Sequence, residues 1–115
     1  MQQIRIDRSL VPTEWLACVV THPLACDHTR HIAALLALRS ELHGNPVSLG
    51  YNSSFDIKAL QVAMFGQASP AGAARVDEEL TRLQRIGCLE VEKVLSPAGL
   101  TSLSVTLVRP TGVSK

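Results

Sequence analysis

From Ser69 onward the apolar positions recur at helical spacing. Val76, Leu80, Leu83 and Ile86 fall on one stripe, while Arg75, Glu78, Glu79, Arg82 and Arg85 lie largely off it. Ser69 caps this helix, Pro70 sits at the first helical position, where its missing N–H costs nothing, and Gly87 supplies the stop. The period then changes from 3.6 to 2. Leu89, Val91, Lys93 and Leu95 share one face of a strand, and Ser96-Pro97-Ala98-Gly99 is turn chemistry. Leu103, Val105 and Leu107 alternate with Ser102, Ser104 and Thr106 in a returning strand that ends at Arg109-Pro110. A helix followed at once by a hairpin is therefore the expectation for the second half.

Upstream, Ile57, Leu60, Gln61, Val62 and Met64 mark a helix that Ser54 or Asp56 can cap, with Gly66-Gln67-Ala68 as the turn after it. Ile32, Leu35, Leu36, Arg39 and Leu42 mark another, capped by Asp27 or Thr29 and stopped at His43-Gly44. Leu38 and the alanines widen its apolar face, which predicts a well-buried helix. Asn45 to Phe55, rich in Gly, Pro, Ser and Asn, reads as an extended loop. Thr13 caps a short apolar helix from Trp15 to Val20, which His22-Pro23 ends. Gln3-Ile4-Arg5-Ile6-Asp7 alternates as a short edge strand, and Thr111 to Lys115 reads as a frayed tail. The fold class is mainly α with a small hairpin (α+β), three helices packing on one another and the hairpin covering the open end.

Composition narrows the function classes. A chain of 115 residues fits one domain, and 46% hydrophobic against 18% charged residues supports a core and excludes wholesale disorder. Aromatics at 3% leave the core to Leu, Val, Ile and Ala, and they argue against single-strand binding by base stacking. A net charge of +1 argues against heavy non-specific nucleic-acid binding but leaves room for a reader with a few placed cations. No apolar stretch is long enough for a bilayer, and Met1 to Asp7 is polar, unlike a signal peptide. Three cysteines, an odd number, point to reduced thiols and a cytoplasmic location.

Leu60 and Met64, the turn at Gly66, and Leu80-Thr81-Arg82-Leu83-Gln84-Arg85-Ile86-Gly87-Cys88-Leu89 carry a resemblance to the winged helix-turn-helix superfamily. It covers about Asp27 to Val108 and is strongest from Ile57 to Glu92. The first strand and helix faintly resemble the winged helix modules of phage and plasmid replication initiators. The resemblance implies a winged helix domain over 27–109, an N-terminal extension over 1–26 and a tail over 110–115. It implies a DNA-binding set of Lys58, Ser69, Ala71, Gly72 and Arg75 on the two helices, with Lys93, Ser96, Thr101 and Ser102 on the wing. Arg75 has the fork to read guanine, Ala71 or Ala74 can meet a thymine methyl, and Ser69 stands where a helix N-terminus binds phosphate. The bland alternative pairs Arg75 with Glu78 or Glu79 on a solvated face.

Cys18, His22, Cys26, His28 and His31 put five zinc-type ligands in a short span, but their spacing fits no standard knuckle, and the pattern assigns no metal or other cofactor. No glycine-rich phosphate loop, nucleophile elbow or useful carboxylate pair appears, so no enzyme is expected. Trp15, Leu16, Val19 and Val20 are either packed across the bundle or exposed as a partner surface. The resulting expectation is a small regulator that binds double-stranded DNA, as a homodimer. The alternative is a winged helix protein-interaction module, an adaptor or inhibitor with little DNA binding.

Overall fold

The computed structural model describes residues 10–50, 55–99 and 101–108. Their elements run α1 (Pro12–Val20), α2 (Asp27–His43), β1 (Val47–Gly50), α3 (Ile57–Phe65), α4 (Pro70–Arg85), β2 (Leu89–Leu95) and β3 (Thr101–Leu107). The described residues thus form an α+β fold of four helices and one three-stranded antiparallel sheet, ordered β1-β3-β2. The edge strand expected at Gln3–Asp7, the cap Ser54 and the tail 110–115 lie outside the described residues.

The loop expected from Asn45 to Phe55 contains a strand. β1 pairs with β3 in the register Val47↔Val105 and Leu49↔Leu103. The Asn45 side chain extends that pairing: its Nδ2 donates to the Leu107 carbonyl at 2.9 Å, and its Oδ1 accepts from the Leu107 amide at 3.0 Å. Val47 and Leu49 are buried while Ser48 is exposed, the half-buried alternation of a strand with one face on a core. β2 and β3 form the expected hairpin, with Leu89↔Leu107, Val91↔Val105 and Lys93↔Leu103 in register. One apolar sheet face results, built from all three strands.

The helices lean on that face and on one another. Ile32, Ala33, Leu36 and Ala37 of α2, Leu60 of α3, and Val76, Leu80 and Leu83 of α4 join Val47, Leu49, Leu89, Val105 and Leu107 in one core. The well-buried α2 of the sequence reading is correct only along this stripe; Leu38 and Leu42 are exposed. α1 belongs to the same core. Trp15 and Val19 are buried, and Trp15 Nε1 donates to the Cys88 carbonyl at 2.9 Å, tying α1 to the chain just before β2. Those two residues are thus unavailable as a partner surface.

Local chemistry explains the boundaries. Pro12 occupies the start of α1, with Val11 rather than Thr13 at the N-cap. At α2 the cap is neither Asp27 nor Thr29 but Cys26; Thr29 acts three residues on, its hydroxyl accepting from the Cys26 amide at 3.1 Å. Asp56 caps α3 by accepting from the Ala59 amide at 2.8 Å, and Gly66 ends that helix in the left-handed region at φ 83°.

Candidate functional site

α3 and α4 are joined by a tight turn, and Gln61, Ser69 and Gly72 meet where the two helices come together. The Ser69 hydroxyl caps α4, accepting from the Gly72 amide at 3.0 Å. The buried Gln61 of α3 reaches across, and its Oε1 accepts from the Ser69 amide at 2.9 Å. Gly72 lies where α4 meets α3. A Cβ there would stand 3.2 Å from both Gln61 Oε1 and Ser69 Oγ, and 3.4 Å from Phe65 Cδ2. The winged helix resemblance implies Gly72 on a DNA-facing surface. It is buried, and its lack of a side chain serves the close approach of the two helices instead.

At the start of α4, Phe65, Ser69, Ala71, Gly72 and Arg75 line an open cleft of about 320 Å³. Four of the residues singled out from sequence therefore meet in one place. Lys58, exposed in the first turn of α3, and Lys93 and Thr101, exposed on the hairpin, are not among the lining residues. Ser96 and Ser102, expected at the wing surface, are buried at 8% exposure each, so the hairpin offers fewer open hydroxyls than the sequence suggests. Ser96 is folded into its own turn, its carbonyl accepting from the Gly99 amide at 2.9 Å.

Arg75 is not a free cation. Its Nη1 lies 3.1 Å from Glu78 Oε1 and 3.5 Å from Glu79 Oε2. One turn beyond the two glutamates, Arg82 Nε donates to Glu79 Oε1 at 3.0 Å, and Arg82 Nη2 stands 3.7 Å from Glu78 Oε2. The pairing of Arg75 within its own helix is thus what the structure contains.

Glu79 departs furthest from expectation. The triplet Asp77-Glu78-Glu79 reads in sequence as a solvated face. Asp77 and Glu78 are exposed, but the Glu79 side chain is fully buried between α2 and α4. The Thr29 hydroxyl donates to Glu79 Oε1, and the Cys26 thiol donates to Glu79 Oε2 at 3.7 Å. Burial pushes the Glu79 carboxyl up. The Thr29 hydroxyl, the Arg82 guanidinium and the Cys26 thiol outweigh that and hold it below the usual carboxylate range. Cys26 is also lowered, first by the Thr29 hydroxyl 3.2 Å from its sulfur and against the effect of burial. Cys88 behaves oppositely: burial pushes its thiol up to about 11.

Of the five zinc-type ligands read from the sequence, Cys18 and His31 are exposed. His22 turns back on its own loop, its Nδ1 accepting from the Leu24 amide at 3.1 Å. Cys26 and His28 stand at the α2–α4 junction, with the His28 ring edge-on to Phe65 at 5.4 Å. No helix of the described residues is long and apolar enough to cross a membrane. No family model, curated protein or solved structure matches the chain.

Proposed function

We propose that this chain is a winged helix-turn-helix domain that holds duplex DNA chiefly through its phosphates. The order of elements carries this reading. Two helices joined by a tight turn are followed by a hairpin, and the hairpin's second strand pairs with a strand that precedes both helices. In such an arrangement α4 approaches the major groove, α3 lies across the backbone, and the tip of β2–β3 flanks the site as a wing. Lys58, Ser69, Arg75, Lys93 and Thr101 are the polar and charged contacts this pose offers. Ala71 and Ala74 are exposed and small, which permits close approach but reads little beyond a thymine methyl. Affinity then comes mostly from phosphate neutralisation, with weak base discrimination.

Two copies on one duplex would add a second half-site, with the exposed Leu24, Leu38 and Leu42 as surfaces for pairing. The three free cysteines suit a reducing cytoplasm. The test is titration of a labelled random-sequence duplex with purified protein at low salt. Binding should appear, weaken as salt rises with a shallow slope, and drop in the Lys58→Ala/Lys93→Ala double variant. If no duplex is retained at low salt, the DNA reading fails.

A second reading is favoured by the Arg75 pairing. With Arg75 held by Glu78 and Glu79, with Phe65 exposed in the cleft and Val62 exposed on α3, the face is acidic and apolar rather than evenly positive. That suits a protein surface. Under this reading the α3–α4 face docks a partner of a nucleoprotein complex. Arg75→Ala separates the two, weakening duplex binding in the first case and leaving partner binding intact in the second.

A further inference from the structure

The Glu79 junction holds three side chains of different ligand chemistry in one spot. Cys26 Sγ, one ring nitrogen of His28 and one carboxylate oxygen of Glu79 all lie within 4.8 Å of one another. They come from the cap of α2, the first turn of α2 and the middle of α4, so the packing of two helices creates the cluster. Sulfur, imidazole nitrogen and carboxylate oxygen together suit a borderline-soft divalent ion such as zinc.

The spacing of Cys26 and Glu79 fits such an ion, and the His28 nitrogen lies within 4.8 Å of both. A thiolate at about 2.3 Å and a carboxylate oxygen at about 2.0 Å from a tetrahedral centre stand about 3.5 Å apart. Cys26 Sγ and Glu79 Oε2 stand 3.7 Å apart. The two carboxylate oxygens are also differentiated. Oε1 is held by the Thr29 hydroxyl and by Arg82 Nε, which fixes the plane of the carboxylate and directs Oε2 toward the cysteine. Groups that orient a ligating atom in this way are the usual support of a metal site. The nearest competitor for Oε2 is Arg75 at 3.5 Å, which keeps its shorter contact to Glu78 if displaced.

We propose that Cys26, His28 and Glu79 form a binding site for one zinc-class divalent ion, bridging α2 and α4, with solvent as the fourth ligand. Cys26 and His28 are both partly exposed, which gives an ion a way in. On binding, the Cys26 S–H bond is replaced by a sulfur–metal bond and the proton leaves to solvent; no oxidant or reductant takes part. The proposal does not depend on what the α3–α4 face binds.

Cobalt(II) is the probe, added to the full chain under a non-thiol reductant. One equivalent should produce a sulfur-to-cobalt charge-transfer band with the visible spectrum of tetrahedral cobalt, and added zinc should abolish it. Zinc should also raise the melting temperature, because it binds only the folded cluster. Cys26→Ser should remove the charge-transfer band. His28→Gln should weaken binding by at least the roughly tenfold loss typical of a supporting partner. Cys18→Ser and His31→Gln should leave both signals unchanged. Absence of the band at one equivalent of cobalt, its persistence in Cys26→Ser, or its loss in Cys18→Ser would each overturn the proposal. Cys26 and His28 are not core residues, so these variants do not require a rebuilt interior.

Discussion

On the inner side of α4, Gly72, Val76, Glu79, Leu80 and Leu83 are each buried against another element. On the outer side, Ala71, Ala74, Asp77 and Glu78 face solvent, and Arg75 folds back onto its own helix. The inner side admits a carboxylate only because Thr29, Cys26 and Arg82 meet its oxygens from three directions. The outer side meets no such demand, and its residues are correspondingly small or paired locally. The contrast teaches that the helix is specified by its interior contacts. Whatever its open face binds was not needed to make the fold.

If that is right, damage should follow depth. Leu83 is fully buried in the shared core, and Leu83→Ala should cost about 2–5 kcal/mol, the usual result of emptying a leucine site. Equilibrium urea unfolding reads this directly. A loss below about 1 kcal/mol would mean that the α4 stripe is not the centre of the core.

Glu79→Ala comes next, at about 1–3 kcal/mol, because it strips a buried hydroxyl of its acceptor and removes hydrogen bonds to a charged group. The two arginines are partly exposed and can return to water, so the full penalty of a broken buried ion pair is not expected. A double-mutant cycle with Thr29→Ala should show coupling on the order of 0.5–3 kcal/mol. Strict additivity would place the Thr29 contact among the ornamental ones.

The same carboxylate makes stability depend on pH. Its folded pKa lies below the unfolded value, near 4.3 for a free glutamate. Its contribution is therefore complete above that unfolded value and disappears as pH falls through the lowered folded one. Wild type should lose stability on the acid side more steeply than Glu79→Gln. Parallel acid limbs in the two melting profiles would show that Glu79 carries no such linkage.

Much of this was legible in the residues. The cap at Ser69, the Pro70 start, the Leu80-Leu83 stripe and the 89–107 hairpin follow from local rules and hold in the structure. β1 does not show in the pattern because four residues, Val47-Ser48-Leu49-Gly50, give too short an alternation to stand out among glycine, proline and serine. Only the distant partners Leu103, Val105 and Leu107 reveal it. Glu79 departs from its sequence expectation for a different reason. It lies three positions after Val76 and four before Leu83, so helical period alone puts it on the buried stripe; its charge argued otherwise. The metal-type cluster was half visible, since Cys26 and His28 stand close in sequence, while Glu79 is supplied by tertiary packing.

The smallest expected effect falls on Arg75. Its contacts to Glu78 and Glu79 are within one helix, and its side chain is 41% exposed. Screening and the entropy of holding a long side chain reduce such pairs to about 0–0.5 kcal/mol, so Arg75→Ala should unfold at nearly the wild-type urea concentration. This near-silence makes the variant useful. A stability loss comparable to that of Glu79→Ala would show that Arg75 belongs with the inner contacts, as a fourth anchor of the buried carboxylate beside Thr29, Cys26 and Arg82. If stability is unchanged, any loss of duplex binding in Arg75→Ala can be assigned to the surface itself. The contrast between the two sides of α4 then becomes a contrast between structure and recognition.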